Sequence, residues 1–252
     1  MCLIGLALNH FPQYPMVMVT NRDEFHARPT QSLHRWDGPA QLWAGRDLQA
    51  GGTWLGATTG GRICALTNLR GKPAVGLNAP SRGELVAGFL QSEASASEWL
   101  ADLETRSNHY AGFNLLLSDD LRTFHLLSNQ GDRLILSSGV HAISNGRWGE
   151  TWPKTERLVD NLSAVTAPES TEALAAVMTD ETVPADSALP DTGVGIENER
   201  RLAPALIRGD EYGTRSTSVL QLDSEGILSM TELTRDRSGQ VVATQRVTLP
   251  RA

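Results

Sequence analysis

Short β-compatible runs, each closed by glycine, proline or polar turn residues, recur through roughly the first 150 residues, and capped helical segments separate them into blocks. Residues 2–8 and 16–21 flank Asn9-His-Phe-Pro-Gln-Tyr-Pro15, whose prolines and polar side chains mark a turn, so the chain opens with a predicted hairpin. Further runs lie at 42–44, 53–57, 63–67, 113–117, 123–127, 134–136 and 140–144. Between the two groups, Ser81-Arg-Gly-Glu84 and Ser95-Ala-Ser-Glu98 both fit a capping box. Each is followed by an apolar pair four residues apart, Leu85/Phe89 and Trp99/Leu103, which predicts helices over 81–91 and 95–105. Pro153 suits the first turn of a third helix, 171–179 reads as a fourth, and 184–195, rich in Pro, Asp, Ser and Gly, reads as a loop. Strands near 218–222, 227–234 and 241–248 close the chain. Blocks of strands and blocks of helices predict an α+β domain with helices covering sheets. The regular alternation of a doubly wound fold is absent, as are Gly-x-Gly-x-x-Gly and Walker A sequences.

Composition narrows the partners. With 22 basic against 29 acidic residues the formal charge is −7, and all cations but Lys72 and Lys154 are arginines scattered along the chain, so no footprint for nucleic acid is expected. The longest apolar runs, such as Ile4 to Leu8, are far short of the roughly 20 residues that span a bilayer, and no transmembrane segment is expected. The first residues lack a cationic leader, which predicts a cytoplasmic protein. Two cysteines and six histidines without ligand spacing predict neither a disulfide scaffold nor a metal site, and Cys64, inside an apolar run, is expected as a buried small thiol.

Cys2 differs because of its position. If the initiator methionine is removed, one residue carries both a thiol and an α-amine. Their unperturbed pKa values, about 8.5 and about 7.7–8.0, let the amine act as base for the thiol near neutral pH. In a hairpin with strands over 2–8 and 16–22, position 2 faces roughly position 22, which brings Asn21-Arg22-Asp23-Glu24 toward the thiol. Arg22 would stabilise a thiolate and Asp23 would orient an amine. Adjacent residues of an extended strand point to opposite faces, so the two are expected on different sides of β structure.

The sequence resembles the Asn-Arg-Asp-Glu proteins, also called the transport and Golgi organisation protein 2 family. The matching pieces, in order, are Met1-Cys2, Asn21-Arg-Asp-Glu-Phe25, Arg28-Pro-Thr30, Gly51-Gly-Thr-Trp-Leu-Gly56, Leu66-Thr-Asn-Leu-Arg70, Ser81-Arg-Gly-Glu-Leu85, Gly112-Phe-Asn-Leu-Leu116, Ile143-Ser-Asn145, Trp152-Pro-Lys154 and Tyr212-Gly-Thr-Arg-Ser-Thr217. The resemblance implies one domain over 1–252 with the N-terminal nucleophile hydrolase fold, a four-layer α-β-β-α sandwich similar to penicillin V acylase and bile-salt hydrolase. By motif order the acylase working set would fall on Cys2, Arg22, Asp23, Asn68, Asn145 and Arg215, all expected in one cleft. Cys2 would attack a carbonyl, Asn68 and Asn145 would donate to the oxyanion, Asp23 would hold the α-amine, and Arg22 and Arg215 would supply positive potential.

Two functions are compatible with this set. One is a binding and trafficking protein for haem or an anionic amphiphile of the acyl-CoA kind, the class that the resemblance implies, with haem as a ligand. The other is an N-terminal cysteine amidohydrolase or acyltransferase acting on C–N amide bonds through Cys2, for which no cofactor is required.

Overall fold

The structure is a computed structural model that describes residues 2–71 and 79–249; of Cys2 it describes the backbone and not the side chain. Among these residues the chain runs β1 (Cys2–Phe11), β2 (Tyr14–Phe25), β3 (Thr30–Arg35), β4 (Leu42–Asp47), β5 (Leu55–Thr58) and β6 (Ile63–Asn68). Helices α1 (Gly83–Gln91) and α2 (Ala96–Arg106) follow, then β7 (Phe113–Ser118), β8 (Phe124–Ser128), β9 (Arg133–Leu136) and β10 (Gly139–Ile143). Helices α3 (Pro153–Ser163), α4 (Thr171–Ala176) and α5 (Ile196–Leu202) precede the closing strands β11 (Tyr212–Leu222), β12 (Leu228–Arg235) and β13 (Val241–Leu249).

These strands form two antiparallel sheets, ordered β10-β1-β2-β11-β12-β13 and β3-β4-β5-β6-β7-β8-β9. Strand periodicity explains why they stack. Even-numbered residues of β1 and β2, such as Ile4, Leu6, Met16 and Met18, join Leu55, Ile63, Leu116 and Leu126 of the second sheet in one core between the sheets. Odd-numbered residues, such as Leu3, Ala7, Val17 and Val19, pack outward on Leu158 and Leu162 of α3 and Leu174 of α4. On the far side, Leu115 and Leu117 of β7 pack on Leu85, Phe89, Leu100 and Leu103 of α1 and α2. The result is the α-β-β-α sandwich.

The hairpin β1–β2 is antiparallel, with Cys2 opposite Arg22 and Ile4 opposite Thr20. Its turn is tighter than the prolines suggested. Asn9 takes a left-handed φ of 51° at a bulge, so the strands continue to Phe11 and resume at Tyr14. The second strand also continues through Asn21-Arg-Asp-Glu to Phe25, because β11 pairs with it as far as Tyr212, well before the start near 218 that its apolar run predicts. The capping box at Ser95–Glu98 is present. That at Ser81 is not: α1 starts at Gly83, and the Ser81 hydroxyl accepts from the Gly83 amide instead.

Candidate functional site

Burial of the chain's polar residues concentrates where the open end of the β1–β2 hairpin meets β6, β10 and β11. Arg22 is 4% exposed and Asp23 1%. Their adjacency in β2 sends them to different sides, as strand geometry requires. Arg22 turns toward the second sheet, where its guanidinium lies 4.2 Å from the centre of the Trp54 ring and donates to the Thr30 hydroxyl at 3.2 Å. Among the described residues no carboxylate stands within ion-pairing distance of it. Asp23 turns toward the helices and accepts from the Thr214 hydroxyl at 2.7 Å. Burial raises the pKa of the Asp23 carboxyl, and Lys154, the Thr214 bond and Arg70 pull it back down.

Both residues nevertheless line one cavity of about 350 Å³, together with Trp54, Asn68, Arg28 and Arg82. A second cavity of about 430 Å³ shares Glu24, Asn68 and Arg82 with it, so the two form one cleft. Phe25, Leu202, Ile207 and Tyr212 give this second part an apolar wall, and Arg201 stands in its lining. Phe25 is 57% exposed and meets the Tyr212 ring edge-on at 5.2 Å. In the first cavity Arg28 is neutralised by Asp47 at 2.8 Å.

The other residues expected from the sequence fall around this cleft in different ways. The Cys2 side chain lies outside the described residues; its backbone pairs with Arg22. Asn68, at the end of β6, lines both cavities, and its carbonyl accepts from Asn145 Nδ2 at 2.9 Å. Asn145 is buried behind Asn68, and its own carbonyl accepts from the Arg70 amide at 2.8 Å. Arg215 is the extra residue of a bulge in β11, between the pairs Thr214–Asp23 and Ser216–Arg22. Its guanidinium holds the carbonyls of Phe25 and Arg28 at 2.9 and 3.1 Å, and it stands outside the lining of the first cavity. Partial burial and the like charge of Arg22 lower its pKa, against Glu24. The structure thus brings Arg22, Asp23 and Asn68 onto one cavity beside the Cys2 backbone, with Asn145 and Arg215 one residue removed.

Several residues that sequence reasoning left as motif members hold this arrangement. Asn21 is fully buried: its amide nitrogen donates to Met178 O and Ala205 O at 2.9 and 2.8 Å, and its oxygen accepts from Thr217 at 2.6 Å. It pins the helix layer to β2. Asn114 of β7 donates to the carbonyls of Ser144 and Gly146 and to Thr67, which joins the two sheets beside Asn145. Lys154, a single lysine after Trp-Pro in one of the matching motifs, carries no spacing signal that points to a site. It is 3% exposed and donates to the Leu202 carbonyl at 2.9 Å.

Two back-to-back sheets with outer helices form the α-β-β-α sandwich of the N-terminal nucleophile hydrolase fold, with a cleft beside the free end of the first strand. The backbone is similar to that of a Caenorhabditis elegans N-acylethanolamine-hydrolyzing acid amidase ortholog, at TM-score 0.50 and 8% identity over 87% of this chain and 92% of that one. The chain belongs to the Transport and Golgi organisation 2 family, whose model matches residues 1–237. Transport and Golgi organization protein 2 homologs from Bos taurus and Homo sapiens are 30% and 28% identical to it, each over 92% of this chain and 92% of their own.

Proposed function

We propose that the cleft binds a small anionic amphipathic molecule of the haem or acyl-CoA kind, with its charged end at Arg22 and its apolar part along Phe25, Leu202, Ile207 and Tyr212, and that the protein carries this ligand within the cytoplasm. The observation that supports this is Arg22 itself. A guanidinium that is 4% exposed, on a cavity wall, without a carboxylate in ion-pairing range among the described residues, is costly to keep unless an anion completes it. Arg28, in the same cavity, has its charge already matched by Asp47, so Arg22 supplies positive potential there, with Arg215 behind it and with Arg82 and Arg201 in the lining of the cleft.

A second reading is supported by the register of the hairpin. Position 2 pairs with Arg22 across the hairpin, and here the anion that completes the guanidinium is the Cys2 thiolate. In this reading the thiolate attacks an amide carbonyl, the amine leaves with a proton from the N-terminal ammonium that Asp23 holds, and water releases the acyl group from sulfur. The nematode amidase contributes a likeness of fold to this reading, and its activity is its own.

Titration with haem and with palmitoyl-CoA, for the native chain and for Cys2→Ala, separates the two. Saturable binding that survives Cys2→Ala, without release of amine from N-acyl substrates by the native chain, is the expected result. Cys2-dependent turnover of an N-acyl amino acid would replace the carrier by the hydrolase.

A further inference from the structure

Among the described residues each sheet ends in two edge strands, β10 and β13 in the first and β3 and β9 in the second. An edge presents backbone groups that a further strand can take up, and a charged side chain or proline on it discourages such pairing. Arg246 stands on β13, Arg35 on β3 and Arg133 on β9, whereas β10 carries no lysine, arginine, acidic residue or proline. Its ladder is with β1 alone, so alternate residues of β10 direct their N–H and C=O groups away from the sheet. Beside that edge lies a groove of about 530 Å³ that shares no lining residue with the cleft. Val140 and Ala142 of β10 and Val159 of α3 give it an apolar floor. On α3, Glu156 and Asp160 stand one turn apart on the face that lines the groove, while Leu158 and Leu162 pack into the core. Glu150 adds a third carboxylate, and Trp148 joins the lining with its ring 5.8 Å from that of His141. The lining holds no lysine or arginine, and all three acids are exposed. The arginines next along the chain are engaged elsewhere, Arg147 by Asp132 at 3.0 Å and Arg157 by Asp180 at 2.5 Å.

We propose that the free edge of β10 and the acidic face of α3 form a docking groove for an extended basic segment of another polypeptide, which adds to the first sheet as a further strand. In strand addition the backbone supplies affinity and the side chains supply the choice of partner. Successive side chains of the added strand point to opposite faces, so every second one turns toward α3. At those positions the aliphatic stem of a lysine or arginine covers Val140, Ala142 and Val159, and its cationic end meets Glu156 and Asp160. An acidic segment would bring like charges onto the same wall. A second copy of this chain pairing β10 with β10 would likewise bring two acidic faces together, so the partner is a different, basic chain.

The test titrates the full chain, by fluorescence anisotropy, with the labelled peptide acetyl-Lys-Thr-Lys-Val-Arg-Thr-Lys-amide. Three comparisons accompany it: the same peptide with glutamate at each basic position, the basic peptide N-methylated at every second residue in each of the two registers, and the double variant Glu156→Lys/Asp160→Lys. Both substituted side chains are exposed, and an unchanged thermal midpoint confirms that the variant is folded. Saturable binding of the basic peptide is expected, weakened about tenfold or more by the charge reversals and reduced by added salt, with no binding of the glutamate peptide at the same concentrations. N-methylation is expected to abolish binding in the register whose amides face β10 and to spare it in the other. Binding is also expected to be the same in Arg22→Met and in the presence of palmitoyl-CoA, which separates this groove from the cleft. Failure of the basic peptide to bind, binding that survives the charge reversals, or binding indifferent to both N-methylated registers would overturn the proposal. Competition by palmitoyl-CoA would place the peptide in the cleft and overturn it as well.

Discussion

A guanidinium inside the protein is a liability unless something repays its lost hydration, and Arg22 makes this trade visible at one residue. Stacking on Trp54 and one bond to Thr30 do not neutralise it. Arg22→Met is therefore expected to leave the thermal midpoint unchanged or higher while weakening palmitoyl-CoA binding about tenfold or more, a divergence that calorimetry and titration on one preparation would show. Lys154 gives a second expectation, in pH. Its folded pKa of about 8 lies below the ordinary lysine value, so the unfolded chain binds more protons between these two values, and stability rises with pH across that window. The rise amounts to roughly 3 kcal/mol at most, and chemical denaturation at pH 8 and pH 10 should find it smaller in Lys154→Met. Asp23 has the opposite sign: its folded pKa is raised, so its contribution falls as pH climbs from the ordinary carboxylate value toward the folded one, and Asp23→Asn should lose that acid-side dependence. Arg22 and Asp23 were legible as candidates because position 2 and position 22 of a hairpin must meet. The burial of Lys154 was not legible, since nothing local in the sequence sends a single lysine into the interior.

The elements divide the same way. Wherever apolar residues alternated or a cap was spelled out, the sequence predicted the element, as with β1, the α2 capping box and Pro153 at the start of α3. Strand β3 escaped because Leu33 is the single buried residue in it, and α5 escaped because its buried residue is Glu199 rather than an apolar stripe, with Ile196 left exposed. Both exist through tertiary contacts: β3 pairs with β4 and takes a bond from Leu33 N to the buried Glu232, and α5 is fastened by Arg70 and Lys154. Gly52 has a similar dependence on the tertiary fold. A Cβ there would lie 2.5 Å from the carbonyl carbon of Gly83, where the loop before β5 crosses the start of α1. Gly52→Ala should cost about 1–3 kcal/mol by denaturant titration, and should weaken ligand binding severalfold because Arg82, next to Gly83, moves with the crossing.

At the scale of the molecule, the period-two pattern of β1 and β2 sorts side chains between the inter-sheet core and the helix layer, and that sorting splits the polar motif at residues 21–24. Arg22 goes to the space between the sheets and Asp23 to the space under the helices, yet the strand ends where the two spaces open into one cleft. The sandwich was readable from the blocks of strands and helices together with the family resemblance. The join of two cavities was not, since Glu24, Asn68 and Arg82, which line both, come from three separate segments. The central claim, that this cleft receives an anionic amphiphile with its charge at Arg22 and its apolar part along Phe25 and Ile207, is tested most directly by calorimetric titration of palmitoyl-CoA into the native chain, Arg22→Met and Phe25→Ser. One saturable site, weakened about tenfold by each substitution and by more in the double variant, is the predicted result; absence of binding, or binding that neither substitution changes, would contradict it.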